Sequence, residues 1–104
     1  MSIKILKMRT GEEIIASITE KFTGEKLTSY HIKNPCSLVP VPDKTGRYSG
    51  NMAMIPWMPT AKQESGLNIP NDAVLFLADP ITSLYNEYNE AFQGIIIPEL
   101  KLST

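Results

Sequence analysis

Eight prolines, scattered from Pro35 to Pro98, constrain this chain more than any other feature. A proline inside a helix removes a hydrogen-bond donor and clashes with the preceding turn. Few stretches long enough for a helix stay uninterrupted, so a helical bundle is not expected. With 104 residues the chain makes one domain, 1–104. Apolar residues are 42% and charged residues 20%, the balance of a soluble globular chain and not of a disordered one. No run approaches the ~18 apolar residues of a membrane helix, and Met1-Ser2-Ile3-Lys4 opens no signal-peptide core, so no membrane partner is expected. Cys36 and His31 are the only residues of their kinds. An internal disulfide is impossible, no Cys/His cluster can form, and neither a metal nor a cofactor is expected.

Between the prolines the punctuation is regular. Ile3 to Met8 forms a short β candidate closed by Thr10-Gly11. Glu13 to Thr19 follows, with Ile14, Ala16 and Ile18 on one face by period two. Thr23-Gly24-Glu25 turns the chain into a long third strand, Leu27 to Val41, which Asn34-Pro35 must bend or bulge. Pro42 to Gly46 is a loop with strong turn chemistry. Asn51 to Pro59 and Ala73 to Ala78 are the fourth and fifth apolar segments, with a polar loop, Thr60 to Asn71, between them.

The last element changes period. Asp79-Pro80 is a helix-start signal, and Leu84, Tyr85, Tyr88, Ala91 and Phe92 then form one helical stripe. Gly94 stops it, and Ile95-Ile96-Ile97-Pro98 supplies a short strand or packs against the body. The expected fold is all-β: a small, strongly bent antiparallel barrel of five strands (about 3–78) with one C-terminal helix (about 80–93).

Enzymatic chemistry has no support in the residues. His31 has no G-x-S-x-G elbow to serve, and no phosphate-binding glycine motif can be written. Cys36 sits in an apolar strand, the setting of an inert thiol. Glu12-Glu13 point to opposite strand faces, and Glu87 and Glu90 lie on an exposed helix face, so neither is an acid/base pair. Charge is uneven: residues 1–50 carry eight basic side chains against five acids, and residues 51–104 two against six. A net charge of −1 argues against a nucleic-acid coat protein, although the first half can present a positive face.

Residues 51–59, Asn-Met-Ala-Met-Ile-Pro-Trp-Met-Pro, are the unusual segment. Both strand faces are apolar, and proline confines such a strand to a sheet edge or a bulge. An apolar edge must be covered. Either the C-terminal helix covers it or a second copy of the chain pairs with it, the second being favoured because tryptophan and methionine are enriched in interface cores. Met52, Met54, Trp57 and Met58, with Val74 and Phe76 of the equally apolar fifth strand, are the interface candidates.

Leu6 to Ile18 (Leu-Lys-Met-Arg-Thr-Gly-Glu-Glu-Ile-Ile-Ala-Ser-Ile) resembles the first motif of the Sm and Sm-like proteins, the Hfq type included. Gly11 matches the turn glycine, and Ala16 stands where the family has the glycine of its bent strand. The compact layout over residues 3–78 is similar to that of Sm-like proteins of marine bacteriophages. The resemblance implies an Sm-like or SH3-like barrel in a homo-oligomeric ring of about five to seven subunits, the fourth strand of one subunit pairing with the fifth of the next. It also implies cytoplasmic location in a bacterial or phage-infected cell, and single-stranded RNA binding in an RNA-chaperone role. The family's Asp-x-aromatic-x-Asn signature has no match in Glu20 to Glu25, its Arg-Gly turn is missing, and no helix precedes the first strand. RNA-contact candidates therefore come from loop position: Lys26, Tyr30, Arg47 and Lys62. An oligomeric structural or adaptor module without RNA binding is the alternative.

Overall fold

The computed structural model describes residues 1–93. Strands β1 (Ser2–Met8), β2 (Glu13–Thr23), β3 (Lys26–Pro42), β4 (Tyr48–Pro56), β5 (Leu67–Pro70) and β6 (Val74–Ala78) follow in order. A 3-10 turn, Asn71–Ala73, leads into β6; α1 (Thr82–Tyr88) comes last and continues as a π-helical turn, Asn89–Gln93. The fold is all-β with one C-terminal helix, as expected. Its strands number six, because the polar Thr60–Asn71 loop contains β5. The expected stop at Gly94 and the run Ile95–Pro98 lie outside the described residues.

Every pairing is antiparallel, in the spatial order β4-β3-β2-β1-β6, and β5 shares with β4 the edge of β3 that β2 leaves free. The 17-residue β3 would run about 56 Å if straight, longer than the molecule's largest extent of 47 Å. It bends at the expected place. Ile15 pairs with Cys36 and Ser17 with Lys33, so Asn34 and Pro35 together stand opposite Ala16. This is a β-bulge, with Asn34 at a φ of 49°, a left-handed conformation that asparagine tolerates.

Alternation builds the core. Leu6 and Met8 of β1, Ile14, Ala16 and Ile18 of β2, Tyr30 and Ile32 of β3, and Val74 of β6 turn to the concave side and form one buried cluster. Each large side chain buried there contributes ~1.5–3 kcal/mol through removal of apolar area from water. The opposite face of the sheet carries a second, smaller cluster: Ile15, Cys36 and Tyr88, with Ile3, Ile5, Leu38, Met54 and Leu84 packed around them. Helix α1 lies on this outer face.

The helix begins later than Asp79-Pro80 suggests. Ile81 holds the N-cap position without a side-chain hydrogen bond. Asp79 stands two residues before that cap, and its carboxylate pairs instead with the Lys4 ammonium of β1. Seven residues are too few for an isolated helix in water, so α1 stands on tertiary packing of Leu84 and Tyr88.

Candidate functional site

At its two ends, β4 and β6, the sheet is open, and the short β5 is paired on one side only. Among the described residues nothing pairs with the far side of β4 or of β6. Each edge carries exposed apolar side chains. Ile55 on β4 is 49% exposed, beside Val39 and Val41 of β3; Leu75 and Phe76 on β6 are 52% and 57% exposed. The register sorts these side chains by face. Ile55 pairs with Ser37 and lies on the concave side, whereas Met54 pairs with Leu38 and lies on the outer side. Helix α1 covers that outer side, so Met54 is half-buried against the second cluster. Met52, also half-buried, lines a groove with Ile81 and Leu84. The helix therefore covers one face of this strand and leaves the other exposed.

The other interface candidates separate in the same way. Val74 is buried in the barrel's own core. Trp57 packs half-buried against that core; its indole N–H donates to Glu12 Oε2 at 3.2 Å and its backbone N–H to the Pro35 carbonyl at 3.0 Å. With Met8, Ile69, Pro70 and Ala73 it lines a mostly apolar cleft of about 470 Å³ at one end of the barrel. Met58 and Phe76 remain exposed.

The α1 cover is fastened at the bulge. A bulge leaves backbone groups without ladder partners, and the fully buried Tyr88 hydroxyl supplies them. Ser17 N–H donates to Tyr88 Oη at 3.0 Å, and the Tyr88 O–H faces the Lys33 and Asn34 carbonyls at 2.8 and 3.0 Å. Burial pushes the Tyr88 hydroxyl above its ordinary pKa, against the downward pull of the Ser17 hydrogen bonds. Burial also pushes the adjacent Cys36 thiol up to about 11. A thiol held protonated in an apolar cluster is a poor nucleophile.

The four RNA-contact candidates do not converge. Lys26 begins β3, and Arg47 lies beyond its other end, in the β3–β4 loop. Lys62 is exposed on the β4–β5 loop. Tyr30 is 8% exposed and belongs to the core cluster, so its ring is not free to stack on a base. That corrects the expectation from loop position. The alternation of Tyr30 with Ile32 already carried the signal, since both must share a face. Burial, and next the charge of Glu20, raises the Tyr30 hydroxyl above its usual range. Loop position does not single out Lys21 of β2 or Lys33 of β3, both of which lie within strands.

The β3–β4 connection is ordered by Asp43. Its Oδ1 accepts from Thr45 Oγ1 at 2.6 Å and from the backbone N–H groups of Thr45 and Arg47 at 2.8 and 3.0 Å. These bonds hold the Asp43 carboxyl below its usual value, the Thr45 hydroxyl contributing most. Among the described residues no group of three His, Cys, Asp or Glu side chains is arranged to hold a metal ion, and no helix is long and apolar enough to cross a membrane. Comparison with models of known protein families and with curated proteins finds no match to this chain.

Proposed function

We propose that this chain is a self-assembling, Sm-like barrel whose copies join edge to edge into a closed ring that serves single-stranded RNA. The observation that carries the reading is the pair of open, apolar edges at opposite ends of one sheet, β4 and β6. An exposed edge is a template for another strand, and natural proteins cover it. Two different edges on one subunit make a heterologous contact, and a heterologous contact that closes gives a cyclic oligomer. The strand order β4-β3-β2-β1-β6 and the bulged third strand support the resemblance drawn from Leu6–Ile18.

The reading is tested by solution mass. The purified chain is expected to run as a defined oligomer by light scattering. Ile55→Asp places a charge on the concave side of the seam without touching the helix-covered face, and is expected to give a folded species of lower mass. A wild-type monomer overturns the ring. The serving of RNA rests on the positive first half of the chain, and salt-dependent binding of short U-rich or A-rich RNA separates it from the adaptor reading.

A further inference from the structure

The register of β2, β3 and β5 gathers polar and basic side chains that the sequence scatters. Ser17 pairs with Lys33, Thr19 with His31, and Lys21 with Ser29, so all six share the outer face of the sheet. On the other side of β3, β5 places Asn68 opposite His31 and Pro70 opposite Ser29. The result is a strip three strands wide that begins where Tyr88 ends the helix-covered patch and runs to the β2–β3 turn. Lys21 is exposed and Lys33 half-exposed.

The strand positions of the strip contain no acid, and Glu25 stands exposed in the β2–β3 turn at its end. Glu20 alternates to the other face, opposite Tyr30, and Glu13 lies beyond the apolar patch, paired with Lys7. Glu64 is exposed on the neighbouring β4–β5 loop and forms no ion pair with either lysine. Among the described residues the only ion pairs are Lys4–Asp79 and Lys7–Glu13, so Lys21 and Lys33 are both without an ion-pair partner. Between them the surface is held rigid. His31 Nδ1 lies 2.8 Å from Asn68 Oδ1. Gly66, at a φ of +99°, fits against the imidazole so closely that a Cβ there would meet Nε2 at 2.1 Å.

From this strip we infer that single-stranded RNA lies along the outer face of β2, β3 and β5, its phosphates held by Lys21 and Lys33. The inference rests on the RNA reading above and moves the contact from the loops to a strand face. Charge complementarity names the occupant: two ammonium groups without an ion-pair partner, on strand positions free of acids, favour a phosphodiester chain. Four residues of β3 separate the register positions of the two lysines, about 13 Å, so they meet separate phosphates. Repetition of the two cations around a ring multiplies the contacts.

The test is fluorescence anisotropy of labelled U-rich and A-rich RNA with the full-length protein over a range of salt. Each phosphate contact on a single strand contributes about 0.7 to the slope of log affinity against log salt. Lys21→Gln and Lys33→Gln are each expected to lower the slope magnitude by about 0.7, and the double variant by about 1.4, with unchanged thermal midpoints. Lys44→Gln, in the β3–β4 loop, is expected to leave the slope alone. RNA binding that persists with an unchanged slope in the double variant overturns the strip and leaves the RNA reading standing. Wild-type protein that binds no RNA, or binds heparin as tightly as RNA, overturns both.

Discussion

The two hydrophobic clusters of this domain lie back to back on one sheet, yet they are held by different means. The concave cluster draws on four strands, and alternation places its members from β1, β2 and β3, while a register shift against β1 brings in Val74 of β6. The outer cluster draws on the bulge and on one seven-residue helix, and a single hydroxyl joins the two. The first is mainly a consequence of period two. The second depends on a polar contact made by a residue 71 positions away from Ser17.

The comparison can be broken from either side. Leu6→Ala empties a fully buried site at the centre of the concave cluster and is expected to cost about 2–5 kcal/mol in denaturant unfolding, with loss of protection throughout the sheet. Tyr88→Phe keeps the ring but removes the hydroxyl that meets the Ser17 N–H and the Lys33 and Asn34 carbonyls, at a cost of about 1–3 kcal/mol. Its signature is local: Cys36 should become accessible to thiol reagents while the amides of β1 and, apart from Ser17, of β2 stay protected. Equal loss of protection in both clusters would show that they unfold as one unit.

Alkali sharpens the same contrast. The folded-state pKa of Tyr88 is raised above 10.0, so its contribution to stability is complete below about pH 10 and is lost as pH rises through the folded value. Tyr88→Phe should lack that part of the alkaline loss, while the part from the raised Tyr30 of the concave cluster remains. The smallest effect belongs to neither cluster. Asp43 has a lowered pKa, so the ordering of its loop is present above 3.8 and is lost as pH falls through the folded value. Asp43→Ala should speed amide exchange at Thr45 and Arg47 and leave the thermal midpoint nearly unchanged.

Much of the concave side was legible in the sequence. Alternation in β2 put Ile14, Ala16 and Ile18 on one face, and Asn34-Pro35 marked the bend. What alternation could not give was the partner across space. Asp79 has the chemistry of a cap, but Lys4 takes its carboxylate, and nothing local announces that pairing. The four-residue β5 hides in a polar loop and ends in proline; only the spacing of Leu67 and Ile69, both packed against the core, hints at a strand. The paired apolar faces of residues 51–58 were visible, but not that one face goes to the helix and one stays open. The basic strip was least legible, because it exists only once the bulge fixes the register of Ser17 against Lys33.

That bulge and the strand order also set a sequence of events in folding. β1–β2, β2–β3 and β3–β4 are successive hairpins, each closing a short loop. The β1–β6 ladder instead brings Ile5 opposite Ala78 and must wait for a far larger closure. The meander therefore assembles first and β6 is stitched on last. Until it is, the side of β1 that β6 will cover stays unpaired, so the newly made chain exposes a core strand to association just before the barrel is complete.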